Sequence, residues 1–287
     1  MQALFGQLLI GLINGAFYAM LSLGLAVIFG LLNIINFAHG AQYMLGAFGA
    51  WFLLEHLGLG YWWALLLVPL AVAATGMVIQ RLMLSRLANL DHLYGLLLTF
   101  GIALVLQGLF TNLFGSSGLP YRLPPMFAGA FDLGFMFLPR YRLWVIVLSA
   151  VICGGTWFVI ERTKLGSYLR AATENPTLVQ AFGINVPSMI TLTYGFGVGL
   201  AALAGVMAAP IYQVSPLMGA NLIIVVFAVV VIGGMGSIGG SILTGFGLGI
   251  IEGLTKYFYA EASNTVIFVV MVAVLLIKPR GLFGRER

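Results

Sequence analysis

Residues 221–240 read N-L-I-I-V-V-F-A-V-V-V-I-G-G-M-G-S-I-G-G, and two folds compete for them. Taken locally, an apolar run feeding Gly234, Gly236 and Gly239 has the form of a strand entering a G-x-G-x-x-G turn, the phosphate cradle of dinucleotide-binding proteins. That fold needs a soluble βαβ unit with an acidic residue closing its second strand. Here the next apolar run, 266–277, ends in Lys278-Pro279, Glu261 precedes it, and no G-x-x-x-x-G-K-[ST] occurs in the chain. The nucleotide reading fails on its context. A transmembrane helix broken by glycines remains. The backbone groups freed at such a break are tolerated in a membrane only when buried in protein or lining a wet cavity.

Composition decides in the same direction. Of 287 residues, 61% are hydrophobic and 7% charged, against about 25% charged in a soluble domain. So few ionisable side chains could not cover a water-facing surface; lipid demands an apolar exterior. The first charge is Glu55. Residues 7–32 lack the basic flank of a cleaved leader and are too long for its apolar core, so they read as a retained span. The single cysteine, Cys153, excludes an intrachain disulfide and sits inside an apolar run as a small core residue. The class is an all-α polytopic membrane protein.

About 20 apolar residues cross the hydrocarbon core. Spans are predicted near 7–32, 41–57, 61–79, 93–114, 143–160, 189–211, 222–232, 238–256 and 264–277, giving eight or nine membrane segments in one domain over 1–287. The runs at 41–57 and 222–232 are short, which predicts broken or re-entrant helices near 33–40 and 233–240. With alternating spans, Arg81, Arg86, Arg162, Lys164, Arg170, Lys278, Arg280, Arg285 and Arg287 share one side, opposite Arg122, Arg140, Arg142 and Lys256. The excess places the C-terminus in the cytoplasm and the N-terminus outside. Tyr61-Trp62-Trp63 and Tyr257-Phe258-Tyr259 then fall at the outer interface.

The break at 33–40, N-I-I-N-F-A-H-G, carries Asn33, Asn36 and His39 at successive i, i+3 positions, and Gln42 extends the series. On a helix these form one polar strip, facing a substrate path or a moving interface; they could equally cap a helix end. Gly234, Gly236 and Ser237 are the matching candidates at the second break, for path lining or hinge. Gly40-Ala41 then Gly46 is echoed by Gly239-Gly240 then Gly245, which suggests an internal repeat joining the two breaks. Gly195/Gly199 and Gly245/Gly249/Gly253 have the spacing of close helix packing. Glu252 and Lys256 stand at i, i+4, so a local ion pair is expected.

The loop at 161–188 is the most informative polar segment. Asn175 can cap a helix begun by Pro176, and Gly183 can end it in the left-handed conformation. That helix would be about two turns long, with Leu178, Val179 and Phe182 as its apolar face. So short a helix needs a partner.

I-N-F-A-H-G at 35–40, L-R-A-A-T-E-N at 169–175, F-G-I-N at 182–185, L-A-G-V at 203–206, G-G-M-G-S-I-G-G at 233–240 and P-R-G-L-F-G at 279–284 resemble the permease subunits of branched-chain amino-acid ABC importers, in particular their LivH type. The resemblance implies a channel half rather than an enzyme, in a bacterial plasma membrane, paired with a second homologous permease. Two cytoplasmic ATPase subunits would use ATP and Mg2+, with no cofactor bound by this chain, and a periplasmic binding protein would deliver solute. By the same resemblance Arg170, Glu174, Asn175, Pro176, Phe182 and Gly183 belong to a coupling element docking on an ATPase. Related permeases for urea or short amides are an alternative. A secondary transporter or passive channel shares the spans without needing an ATPase, and Gly115-Ser116-Ser117-Gly118 with His39 or His92 supplies the residue types of a membrane serine peptidase. Nothing in the chain suggests nucleic-acid binding.

Overall fold

The computed structural model describes residues 2–32, 34–88, 90–134 and 136–284. Asn33, Arg285 and Arg287 therefore lie outside the described residues. Nine helices occupy the nine apolar runs: α1 Gln2–Leu32, α2 His39–Leu57, α3 Tyr61–Ile79, α4 His92–Phe114, α5 Arg140–Arg162, α8 Val186–Ala208, α9 Met218–Gly233, α10 Ile238–Phe258 and α11 Val266–Ile277. Two shorter helices, α6 Lys164–Glu174 and α7 Pro176–Ala181, fill the polar loop, and two three-residue strands pair between α4 and α5. Helix α3 runs on through Pro69 and a π-helical turn at Gln80–Leu84, so Tyr61–Leu87 is one span. Among the described residues, six helices are long and apolar enough to cross a membrane, while α9 and α11 are shorter. On α4, Thr99 is the buried residue, and Leu97, Leu104 and Val105 are exposed. An apolar outer face of this kind is what lipid requires.

Long-range contacts fix which helix ends lie together. Tyr141 at the start of α5 donates to the Met207 carbonyl at the end of α8 (2.8 Å), and its hydroxyl lies 3.1 Å from, and hydrogen-bonds with, that of Tyr61 at the start of α3. The end of α1 packs at Gly30 on Gly236, and Trp157 near the end of α5 touches Gly239. One face of the bundle thus carries the ends of α1, α3, α5, α9 and α11 with the loop helices α6 and α7. The opposite face carries the start of α1, the start of α3 and the ends of α8 and α10.

Helices α1–α4 and α8–α11 form two units related by an inverted pseudo-twofold. The pairing of α1 with α10 is matched by α8 with α3; α2 with α8 is matched by α9 with α1; and α2 with α3, and α2 with α4, are matched by α9 with α10 and α9 with α11. Each matched pair runs in the opposite sense. The axis passes where Gly24 meets Gly197 and Gly40 meets Gly219: in each pair a Cβ on either glycine would crowd the other's carbonyl oxygen. Lacking side chains, these backbones touch, the small-residue device of helix packing in membranes. The inversion corrects the expected repeat. The break after α1 corresponds to the segment 209–217 after α8, not to 233–240, and the five-residue echo is coincidental.

Candidate translocation and coupling sites

Helix α2 begins deep inside the bundle. The His39 ring bonds through Nε2 to the Leu21 carbonyl at 3.0 Å, eleven residues before the end of α1 and so about 16 Å below it at 1.5 Å per residue. Segment 34–38 re-enters the protein to bring the chain there. A carbonyl can only accept, so Nε2 carries the proton and Nδ1 is a bare acceptor, buried with no partner among the described residues. Asn36 donates through Nδ2 to Gln42 Oε1 at 3.0 Å. The Asn36 Oδ1 and Gln42 Nε2 are left without partners, and Gln42 lies beside the Tyr194 hydroxyl, which closes no hydrogen bond of good geometry. All four residues are at most 1% exposed. Thr99 of α4 takes up the freed backbone, accepting from Phe37 N–H at 3.1 Å and facing Ile35 O at 3.2 Å. Phe37 stacks on Phe227 of α9 at 4.7 Å.

The expected strip is therefore corrected in one respect. Asn36 lies in the non-helical re-entrant segment, and only His39 and Gln42 stand on α2. Asn36 returns to them by a hydrogen bond, not by helical spacing. Tyr194 was not singled out by the sequence, because a tyrosine in an apolar span looks like core.

The second break is closed differently. Helix α9 ends at Gly233, Gly234 (φ 100°) and Gly236 (φ 92°) adopt the left-handed side of backbone space, and α10 starts at Ile238 with Ser237 as its cap, accepting from Gly240 N–H at 3.1 Å. The tail 281–284 folds onto this turn. Leu282 N–H donates to the Ile232 carbonyl (2.8 Å) and Phe283 N–H to Gly233 (3.2 Å). A Cβ on Gly281 (φ 81°) would lie 2.5 Å from both the Gly234 Cα and the Val231 carbonyl. The glycines at 233–240 and 281–284 thus let a tail pack backbone to backbone on a helix end. Gly234 is buried under that tail, Gly236 is exposed and Ser237 half-buried.

In the polar loop, Asn175 caps α7 by accepting from Leu178 N–H at 2.9 Å, and Gly183 (φ 83°) ends it. Val179 turns inward and is buried, whereas Leu178 is 54% and Phe182 76% exposed. Glu174 and Pro176 are exposed. Arg170 turns back on the bundle, donating to the Ile160 carbonyl at 3.0 Å and lying 3.6 Å from Glu161.

Glu252 departs most from expectation. Its carboxylate accepts from Tyr18 Oη at 2.7 Å and from Asn14 Nδ2 at 3.2 Å, both on α1, rather than pairing with Lys256. Asn14, an amide in the middle of an apolar span, was the available signal. The peptidase constellation does not assemble: His39 is bonded in the core, and His92 opens the 23-residue α4 while Ser116 lies just past its other end.

Comparison with known proteins bears on the whole chain. Residues 7–275 match the family described as branched-chain amino acid transport system, permease component. The high-affinity branched-chain amino acid transport system permease protein LivH of Escherichia coli K12 is 29% identical, over 97% of this chain and 95% of that protein. BraD of Pseudomonas aeruginosa, a permease protein of the same description, is 30% identical over the same shares. LivM of Salmonella typhimurium is 28% identical over 94% of this chain and 68% of its own length. No solved structure matches. With its inverted helical units, deep helix break and near-complete match, this multi-pass membrane chain belongs to the branched-chain amino acid transport permease family.

Proposed function

We propose that this chain is one of two homologous permease subunits in an ATP-driven importer that carries branched-chain amino acids, with ATP and Mg2+ used by two separate ATPase subunits and solute delivered by a binding protein outside. The arginine- and lysine-rich face carrying α6, α7 and the C-terminal tail is then cytoplasmic. The observation that carries the reading is α7 followed by Phe182. A capped two-turn helix holds a phenylalanine 76% exposed at the charged end of the bundle, where its own core does not cover it. A groove on an ATPase would bury that ring. Its movement on ATP binding would bias the two inverted units between inward- and outward-facing arrangements, with the buried break at 34–42 between them.

Two measurements test this. Purification of the chain from its host in mild detergent, with crosslinking, is expected to bring down a second hydrophobic subunit and an ATPase pair; recovery of the chain alone would overturn the importer reading. Phe182→Asp is expected to reduce ATP-driven uptake of leucine more than tenfold while the bundle stays folded. Unchanged uptake in that variant would overturn the docking role of α7.

A further inference from the structure

The connection between α4 and α5, residues 115–139, is stitched to the face of the bundle that holds the start of α3 and the end of α8. Leu119 N–H donates to the Val214 carbonyl at 2.8 Å, and Val214 N–H donates back to Leu119 at 2.9 Å. Val214 is buried and belongs to 209–217, the break in the second inverted unit. Further on, the Phe127 ring is plugged among Tyr61, Trp62, Tyr141 and Trp144, with centroids 5.4 to 6.2 Å apart. Residues Ala130–Asp132 and Phe137–Pro139 then pair as an antiparallel hairpin, Phe131 opposite Leu138 and Asp132 opposite Phe137. Opposed residues share a face and neighbours alternate, so burying Leu138 turns Phe137 outward, where it is 71% exposed. Met126 and Phe131 are exposed as well.

The charge of this segment is one-sided. Among its Asp, Glu, Lys and Arg side chains, residues 115–142 hold three arginines, Arg122, Arg140 and Arg142, against one acid, Asp132. Asp132 is engaged locally, accepting from Gly134 N–H at 2.8 Å. The Arg140 guanidinium lies over the Phe131 ring, 5.5 Å from its centroid, which joins cation and apolar surface in one patch. Arg122 follows the buried Tyr121, is exposed, and makes no hydrogen bond or ion pair among the described residues. Short loops outside the cell are poor in basic residues, yet this one segment supplies three of the four assigned to that face, Lys256 being the other. Contact with the lipid interface needs aromatic rings but no such bias. Arginine interleaved with exposed aromatic and methionine side chains is instead the composition of a protein–protein contact.

We propose that Arg122, Met126, Phe131, Phe137 and Arg140 form the docking surface for the solute-binding protein, which meets it with an acidic patch. A basic surface selects and steers an acidic partner. Because Leu119 is paired with Val214, a protein seated here stands over the outer end of the 209–217 break, between the two inverted units. The proposal rests on the importer reading and gives the delivery step a place on this chain.

The test uses the whole transporter, in proteoliposomes and lipid nanodiscs, with the purified binding protein of the same system. Leucine uptake that depends on the binding protein comes first; its absence in the wild type would overturn the importer reading, and the docking surface with it. Given uptake, the affinity of labelled, leucine-loaded binding protein for the nanodisc complex is measured at low and at physiological salt. Arg122→Glu is expected to weaken binding at least tenfold and to flatten its salt dependence. Phe137→Ser is expected to weaken it about fivefold with the salt dependence kept. Lys278→Glu, the same charge change on the opposite face, is expected to leave binding unchanged. A photoreactive benzoylphenylalanine in place of Phe137 keeps an aromatic ring on the hairpin and is expected to crosslink the binding protein. Wild-type affinity in both Arg122→Glu and Phe137→Ser, equal weakening by Lys278→Glu, or no crosslink from position 137 would overturn the surface. So would a loss in Arg122→Glu confined to nanodiscs containing anionic lipid, which would make the patch a headgroup contact.

Discussion

The two helix breaks carry similar signatures in the sequence and reach opposite ends in the structure. At 34–42 the chain dives into the bundle and leaves polar atoms of Asn36, His39, Gln42 and Tyr194 buried without partners. At 233–240 the chain turns on glycines, and the tail donates to the helix-end carbonyls of Ile232 and Gly233. An unpaired buried polar group costs about 1–3 kcal/mol, so the first break keeps a cost that the second has removed. A glycine-rich break therefore marks a place where backbones meet, while a break rich in amides marks one where polar groups wait.

That contrast can be broken most severely at the pseudo-axis. Gly219→Val would drive a branched side chain into the Gly40 carbonyl, and since both are backbone neither can yield; the expected outcome is loss of folded protein from the membrane fraction by detergent-resistant size exclusion. Next in size is Gly281→Ala. It combines a left-handed φ with overlap on Gly234, and lifting the tail strands two carbonyls, so about 2–4 kcal/mol of local stability is expected to go. Hydrogen exchange at Leu282 and Phe283 amides reads this directly, and unchanged protection would show that the tail is not held by that turn.

At the first break the effect on stability should be small and that on transport large. Gln42→Met removes an amide nitrogen with no partner while stranding the Asn36 amide, so the two terms oppose and melting of the complex should move by no more than about 1 kcal/mol equivalent. Uptake is expected to fall at least tenfold, because the polar atoms are kept for something other than stability; a variant that melts and transports like the wild type would make the cluster mere packing. The smallest effect is expected from Ser237→Ala, the loss of one helix cap at about 1 kcal/mol, restored by Ser237→Asp.

The spans, both breaks and the cap-to-glycine frame of α7 were legible in the sequence, because hydropathy, glycine and capping chemistry act over a few residues. Partners far apart in the chain were not. Glu252 has a lysine four residues away and takes instead a tyrosine 234 residues away; local spacing names the wrong partner because the helix packs Glu252 against α1. The same limit hid the tail under Gly234 and paired the wrong segments as repeats: a five-residue likeness carries less information than the direction in which helices run. Asn36 joined its predicted neighbours by a route that helical periodicity could not describe.

The inverted arrangement of α1–α4 and α8–α11 has a consequence for energy. A body made of one packing and its upside-down copy owns, for every tilt of the first unit against the second, a twin tilt with the roles exchanged. If the halves were identical in sequence the twins would be isoenergetic. The gap between them is set only by where the halves differ, as in Phe37 facing Phe227 or a serine-capped turn on one side alone. Such a molecule needs no elaborate machinery to possess two shapes, and a push of a few kcal/mol from outside suffices to choose between them.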